Sequence, residues 1–144
     1  MLQKRISCPT SGEGDILDIT SIIRDLVTGS EVKTGICSLF VSGSTAALTT
    51  IEYESGVLKD LIRALSILAP SDIAYAHDSR WGDGNGRSHV KASLVGPSLT
   101  IPVMDGDLVL GTWQQIVLIE LDTRARRDRN VLVTIIGESN NSDL

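Results

Sequence analysis

The spacing of hydrophobic residues along the chain predicts a mixture of strands and helices. Apolar and β-branched residues alternate, or run together over short stretches, in the way typical of β-strands. Apolar residues recur at helical spacing between Ser55 and Pro70. The predicted strands are 2–7, 15–19, 35–42, 46–51, 115–121 and 130–136, and the predicted helices are 20–27, 55–69 and 88–94.

This order of elements predicts an α+β fold with a mostly antiparallel sheet and two or three helices. Because no linker, repeat or change of composition interrupts the 144 residues, we expect a single domain over 1–144. The polar tail 138–144 is predicted to be frayed. Thr20 or Ser21 is expected to cap the first helix and Ser55 the second, since a hydroxyl can accept a free backbone N–H.

One hairpin is predicted with particular clarity between residues 101 and 115. Asp105-Gly106 separates two apolar runs, and such a pair suits a tight turn that requires positive φ. The following Gly-Thr-Trp-Gln-Gln segment is required neither by strand propensity nor by the turn. Trp113 therefore has two interpretations, a core or interface anchor and a substrate-binding group.

The last two strands are unusually apolar. Residues 116–119 and 131–136 barely alternate, as in strands that are buried on both faces. In a chain of this size, a helix layer could cover one face and a partner subunit the other. The pattern therefore suggests an oligomer.

Composition and charge narrow the choice of partners. The formal net charge is −5, which argues against nonspecific nucleic-acid binding. Neither a signal peptide nor a membrane-spanning segment is recognisable, and Cys8 and Cys37 form no metal or redox motif. We expect a cytoplasmic protein with two free thiols and no membrane partner, although a disulfide remains an alternative.

The candidate chemistry lies first in a long polar segment, 71–86, and its surroundings. The chain's two histidines, His77 and His89, flank its second half, and Asn85 lies between them. Imidazole and carboxylate groups suit Zn²⁺ or another divalent ion. A neutral His89 near a helix N-terminus could instead serve in acid–base catalysis. Surface or core histidines are the plainer alternative.

Three further candidates come from other segments. Glu52 follows a predicted strand, where a carboxylate is either solvated or held by a metal or proton. Gly43-Ser44-Thr45 offers backbone N–H groups and two hydroxyls to a phosphate, or is an ordinary bend. Arg129 is the arginine of its loop that lies closest to a strand, and we consider it for an anion site or a subunit contact.

Several motifs together resemble the YjbQ-like family, whose small proteins have a secondary thiamine-phosphate-synthase activity. The hallmark is the run from Pro102 to Gln114. Upstream, Ser44-Thr45-Ala46-Ala47 with Glu52 is similar to the family's Thr-Thr-Ala…Glu segment. Tyr75-Ala76-His77, Asn85 and Ser88-His89 are similar to its His…Asn/Asp…His segment, and the resemblance extends from about residue 15 to 137. One common family pattern has a histidine where Gly43 stands.

The resemblance implies a homotrimer with a YjbQ-like fold. It also implies the coupling of a pyrimidine pyrophosphate to a thiazole phosphate, with release of pyrophosphate. On this basis, Glu52 and His89 are the expected catalytic residues, and His77, His89 and Glu52 the expected ligands of a divalent metal, Mg or Zn. The small phosphorylated substrate is expected to contact Ser44, Thr45, Asn85, Trp113, Gln114 and Arg129. A non-catalytic metal- or anion-binding homotrimer and a purely structural oligomer are the alternatives.

Overall fold

The computed structural model describes residues 1–139, and they form two sheets and four helices in three layers. The elements in chain order are β1 Leu2–Thr10, β2 Ile16–Asp18, α1 Thr20–Ser30, β3 Thr34–Val41, β4 Ala46–Ile51, α2 Ser55–Leu68, α3 Ala76–Trp81, α4 Gly86–Val95, β5 Ser98–Met104, β6 Asp107–Leu108, β7 Gln115–Glu120 and β8 Arg127–Glu138. The α+β class is confirmed, with four helices among the described residues rather than two or three.

Every strand pair is antiparallel. A five-stranded sheet has the order β1-β8-β3-β5-β6, and a three-stranded sheet has the order β2-β7-β4. The inner face of the larger sheet packs on the smaller sheet and on α1 to form the main core. The opposite face of the smaller sheet packs against α2 and α4, which forms a second core.

The central strand β7 shows why the chain's most apolar segment is buried on both faces. Ile116 and Leu118 point into the main core, whereas Val117 and Ile119 point into the second core beneath the helices. Both faces of β7 are thus covered within one chain. The prediction of burial on both faces is confirmed for β7, and at this strand the chain itself covers both faces.

Strand β8 behaves differently from β7. Its residues alternate between inside and outside, and Ile136 is 47% exposed on the outer face of the larger sheet. Ile136 lies opposite Ile36 of β3, and Leu132 lies opposite Phe40. An apolar strip therefore remains on the outer face of this sheet. A single chain therefore buries only one face of β8, and the suggestion that a partner subunit covers the other face stays a prediction.

The predicted hairpin is confirmed with its turn. Asp105 and Gly106 have φ values of 53° and 80°, and β5 pairs with β6 across them. Glycine carries such a φ without strain, which is why the Asp-Gly pair was a strong signal.

Three local predictions were wrong. Thr20 lies inside α1, where its hydroxyl donates to Asp18 and accepts from the N–H of Ile116, and neither it nor Ser21 is a cap. The cap of α2 is Glu54 and not Ser55, because the Glu54 carboxylate accepts the N–H groups of Gly56 and Val57 at 2.8 Å. Finally, Glu138 ends β8 rather than starting a frayed tail, and residues 140–144 of that tail lie outside the described residues.

Both cysteines are buried and free, so the prediction of two thiols is confirmed. Burial raises the pKa of Cys37 to about 11 and also raises the pKa of Cys8. Among residues 1–139, no helix is both long and apolar enough to cross a membrane.

Candidate functional site

The two histidines lie side by side. His77 belongs to the short helix α3, and His89 lies in the first turn of α4. Gly82 ends α3 with φ of 67°, which lets the chain turn back toward α4. The two imidazole rings consequently lie with their centroids 4.6 Å apart and their planes tilted by 54°. The structure thus brings together two groups that the sequence separates by twelve positions.

The side chain of His77 faces two carboxylates. Its Nδ1 lies 3.1 Å from Oδ1 of Asp78 and 3.3 Å from Oδ1 of Asp83. One ligand atom from each of the three residues lies within 4.8 Å of the others. Such spacings fit ligand atoms that share one ion at bond lengths of about 2.0–2.2 Å. The hydrogen bond with His77 lowers the pKa of Asp78, which keeps this carboxylate ionised.

This group differs from the set of residues that the sequence predicted as metal ligands. His77 is part of the group, but the two carboxylates beside it are Asp78 and Asp83 rather than Glu52. His89 is outside the group of converging ligand atoms, although its ring packs near His77. An imidazole with two carboxylates is a donor set that suits Zn²⁺ or Mn²⁺, and carboxylate oxygens also suit Mg²⁺.

A close backbone approach fixes the position of Asp78. The N–H of Gly86 donates to Asp78 Oδ1 at 2.8 Å. A Cβ at position 86 would lie only 2.6 Å from Cβ of Tyr75, so the start of α4 can approach α3 this closely only with glycine there. The close contact with Tyr75 therefore requires glycine at position 86, which the sequence pattern alone did not reveal.

A buried polar network lies at the end of the three-stranded sheet where β7 finishes and β4 begins. Arg129 is 2% exposed and Glu120 is 0% exposed, and their side chains form a two-point ion pair. Thr10 donates to Glu120 at 2.6 Å, and Arg129 also donates to Thr45 at 2.8 Å. Burial raises the pKa of Glu120, but the hydrogen bonds from Arg129 and Thr10 outweigh it and hold the pKa below its ordinary value.

Asp122 extends this network toward the histidine segment. It accepts hydrogen bonds from Thr45 at 2.9 Å, Asn85 at 3.3 Å and Arg127 at 2.7 Å. Burial raises the pKa of Asp122, but the N–H of Arg124 and these three bonds lower it by more. The pKa therefore lies below its ordinary value, and the carboxyl stays ionised. Of the predicted substrate-binding residues, Thr45, Asn85 and Arg129 thus lie together, but most of their polar atoms are already bonded within the chain.

One donor of Arg129 remains free. Its Nε and Nη2 are bonded, whereas Nη1 has no hydrogen bond to any residue in 1–139. Every fully buried side-chain nitrogen or oxygen in this range has a partner, so Nη1 must reach solvent. It lies against Gly43, where a Cβ would come within 2.8 Å of it. Gly43 and the exposed Ser44 line a neighbouring pocket of about 250 Å³.

The other predicted residues lie at the opposite end of the three-stranded sheet. β4 ends at Ile51, and Glu52 is exposed beyond it within the single chain. Trp113 is 73% exposed. The two residues line an open pocket of about 400 Å³ together with Asp18, Tyr53, Glu54 and Gln115. Gln114 is exposed, and its side-chain amide donates to Thr50 at 3.0 Å and accepts the N–H of Gly111 at 3.0 Å.

The predicted site is therefore divided within one chain. Ala46 pairs with Glu120 at one end of the sheet, and Ile51 pairs with Gln115 at the other. Since a strand rises about 3.3 Å per residue, Thr45 and Glu52 are on the order of 20 Å apart. One small substrate cannot contact both ends of the same chain.

Sequence reasoning missed four charged residues. Asp78 and Asp83 were visible in the polar segment, and their spacing around His77 could have suggested them. Glu120 ends an apolar strand, where a buried carboxylate requires a partner. Lys91 is 6% exposed and lies on α4 two residues after His89, and no pattern distinguished it from a solvated lysine.

Two stacked antiparallel sheets with helices outside the smaller one define an α+β protein with its polar groups at the sheet ends. The sequence profile of the family described as UPF0047 protein YjbQ-like matches residues 4–138, and the chain belongs to this family. The predicted family membership is thereby confirmed.

The relatives agree in length and fold. A UPF0047 protein of Methanothermobacter thermautotrophicus is 37% identical over 129 residues, which cover 90% of this chain and 87% of that protein. UPF0047 protein YjbQ of Salmonella typhimurium is 37% identical over 83% of this chain and 87% of its own. The crystal structure of a hypothetical protein from Aeropyrum pernix K1 superposes with a TM-score of 0.86 at 27% identity, covering 96% of this chain and all of that one.

Proposed function

We propose that this protein is a metal-dependent transferase with a thiamine-phosphate-synthase-like activity. It would couple a pyrimidine pyrophosphate to a thiazole phosphate, as the family resemblance implies, and this could be a side activity in the cell. The observation that carries the proposal is the convergence of His77, Asp78 and Asp83 beside His89. A reaction that releases pyrophosphate needs such a place for a divalent ion, Mg²⁺ or Zn²⁺.

The roles of the chain's own residues follow from the geometry. In the reaction, the bond from the pyrimidine's methylene carbon to pyrophosphate breaks, and a bond from that carbon to the thiazole nitrogen forms. His77, Asp78 and Asp83 would hold the ion, which supplies positive charge to the departing pyrophosphate. His89, with its ring 4.6 Å from that of His77, is positioned to donate or accept a proton at the same place.

The phosphate of the small phosphorylated substrate is proposed to bind at Gly43 and Ser44. The free Nη1 of Arg129 lies against Gly43, and the N–H groups of Gly43 and Ser44 donate to no other described residue. The hydroxyl of Ser44 is also unbonded within residues 1–139. Guanidinium and backbone N–H donors of this kind suit phosphate oxygens. In a chain with histidine at position 43, the same space would be filled by a side chain.

Assembly is part of the proposal, because the two ends of the three-stranded sheet can serve one substrate only if they come from neighbouring subunits. We propose a homotrimer that packs through the outer face of the larger sheet. Ile36, Phe40 and Ile136 are 42%, 47% and 47% exposed on that face. The polar pair Ser38 and Thr134 lies between these apolar residues. Several exposed apolar side chains on one sheet face favour an interaction site. Trp113 would then offer its exposed face to the pyrimidine ring, and Glu52 would meet the substrate from a neighbour.

Light scattering tests the assembly. The native chain is expected to have about three times its 15.4 kDa mass at micromolar concentration. Phe40→Asp, which places a charge on the proposed interface, is expected to yield monomers, whereas Ile22→Asp on α1 provides an exposed apolar control. A monomeric native protein would contradict the trimer.

The transferase proposal is tested by turnover. Purified protein with Mg²⁺ and the two precursors is expected to form thiamine phosphate. His77→Ala and Asp83→Asn should each reduce turnover at least tenfold, and Glu52→Gln should reduce it strongly if Glu52 acts from a neighbouring subunit. Asp72→Asn, an exposed carboxylate of the same segment, is the matched control. Absence of product in the native protein under all divalent ions would refute the transferase.

A second function is favoured by one observation. Glu52 is exposed and on the order of 20 Å from Thr45 along the strand, so one chain lacks a complete catalytic set. The alternative is a non-catalytic metal- or anion-binding homotrimer in the reducing cytoplasm. Calorimetric titration with Mg²⁺, Zn²⁺ and inorganic phosphate separates the two, because binding that is lost in Asp83→Asn, with turnover absent, supports the binding protein.

A further inference from the structure

A further cavity lies between α2 and α4, and its lining includes neither the two histidines nor Arg129. Its lining residues are Glu13, Ile62, Ser66, Ser71, Arg87 and Lys91, and its volume is about 270 Å³. We propose that this cavity binds the carboxylate group of a small organic acid, with Lys91 supplying the charge. The proposal does not depend on the transferase activity or on a metal.

Lys91 is a buried cation in the wall of this cavity. The residue is only 6% exposed, yet its ammonium forms no hydrogen bond or ion pair with any residue in 1–139. Lysine is almost never this buried unless it is paired, because removing a charge from water is costly. Since every fully buried side-chain nitrogen in this range has a partner, Nζ is accessible, and Lys91 lines the cavity. A buried, unpaired cation at a cavity wall is a binding group for an anion.

The other two charges of the lining, Arg87 and Glu13, already pair with each other. Arg87, one helical turn before Lys91, donates through Nε and Nη2 to both carboxylate oxygens of Glu13, each at 2.8 Å. This two-point pair neutralises Arg87 and holds its side chain in place. The lining therefore carries two positive charges and one negative charge, and the remaining positive charge is that of Lys91.

The cavity also offers two hydroxyl groups as hydrogen-bond donors. The hydroxyls of Ser66 and Ser71 also line the cavity and form no hydrogen bond within the described residues. Ile62 provides an apolar wall on the same side of α2. An ammonium, two hydroxyls and one apolar contact suit a small oxyanion that carries a short hydrocarbon group.

The charge balance selects a carboxylate among the oxyanions. One excess positive charge is neutralised by a monoanion. A phosphate dianion would leave a negative charge facing Glu13 in a partly desolvated cavity, where like charges repel strongly. Acetate and inorganic phosphate are therefore discriminating probes, and acetamide has the shape of acetate without its charge.

The experiment is an NMR titration of the full chain, without divalent ions, observed at the Lys91 side chain and at the amides of Ser66 and Ser71. Acetate is expected to give saturable shifts with a Kd on the order of 1 mM, a strength reasonable for a ligand of four heavy atoms. Inorganic phosphate and acetamide should each bind at least tenfold more weakly. Lys91→Met should weaken acetate at least tenfold, whereas Lys59→Met, on the exposed side of α2, should leave it unchanged.

A second variant keeps the test independent of how Lys91→Met folds. The double substitution Ser66→Ala and Ser71→Ala changes only exposed hydroxyls and is expected to weaken acetate about three- to tenfold. The proposal is overturned if acetate gives no saturable shift in the native protein, or if phosphate or acetamide binds as tightly as acetate. Unchanged acetate affinity in folded Lys91→Met would also overturn it.

Discussion

The two ends of the three-stranded sheet differ in how they place charged and polar side chains. At one end, Arg129 and Glu120 are almost fully buried, and each charge has several partners. At the other end, Glu52 and Trp113 are exposed around an open pocket. A charge can be buried only where its partners are in place. The groups at the first end therefore bond mainly to one another, and Nη1 is the one guanidinium nitrogen of Arg129 without a partner in residues 1–139. The second end keeps its groups available for a ligand or a neighbouring subunit.

Removal of Arg129 should have the largest effect on stability. Arg129→Met leaves Glu120 buried without its ion-pair partner, and we expect a loss of about 3–5 kcal/mol in the free energy of unfolding. Urea denaturation measures the change. Arg126→Met, an exposed arginine of the loop just before β8, is the control and should stay within about 0.5 kcal/mol. Equal losses in the two variants would show that burial of the Arg129–Glu120 pair adds nothing to the cost of removing an arginine.

The same network should dominate acid unfolding. The folded-state pKa of Glu120 lies below its unfolded value, so its contribution is complete above the unfolded pKa and is lost as pH falls through the folded pKa. Each unit of difference corresponds to about 1.4 kcal/mol. Unfolding free energies from pH 7 to pH 2 should therefore fall less in Glu120→Gln than in the native protein. An equal fall in Glu120→Gln and in the native protein would contradict the comparison.

Lys91 sharpens the comparison, because it is a buried charge without a partner. Burial lowers its pKa in the folded state, so the native protein loses stability at neutral pH and regains it as pH rises toward the unfolded value near 10.5. Lys91→Met should thus stabilise the protein by about 1 kcal/mol at pH 7, and less at pH 10. Thermal unfolding at the two pH values measures this. Destabilisation by Lys91→Met at pH 7 would indicate a partner that binds the ammonium.

The smallest effect on stability is expected at the open end. Trp113 is 73% exposed, so Trp113→Ala should change the free energy of unfolding by less than about 0.5 kcal/mol. On the proposed function, the same variant should weaken binding of the pyrimidine pyrophosphate several-fold. Urea denaturation and calorimetric binding of that substrate measure the two quantities. A large loss of stability would show that Trp113 is a structural anchor instead.

The sequence by itself determined the main elements of the fold. Apolar alternation located the long strands, the leucine spacing located α2, and Asp105-Gly106 specified its turn, because each of these signals is local in the chain. Local signals failed at the caps, where Glu54 displaced Ser55 since its longer side chain reaches two N–H groups. The motifs around the histidines and Trp113 also indicated the family whose profile matches residues 4–138.

Only the tertiary structure decided which of these features share a site. The pairing of β4 with β7 puts Glu52 and Thr45 at opposite ends, and no spacing in the sequence records that separation. The turn at Gly82 and the close approach at Gly86 bring Asp78 and Asp83 to His77. Burial of Arg129, Glu120 and Lys91 also depends on elements far apart in the chain. Contacts of this kind depend on the three-dimensional packing of the layers, whereas sequence patterns report the neighbourhood along the chain.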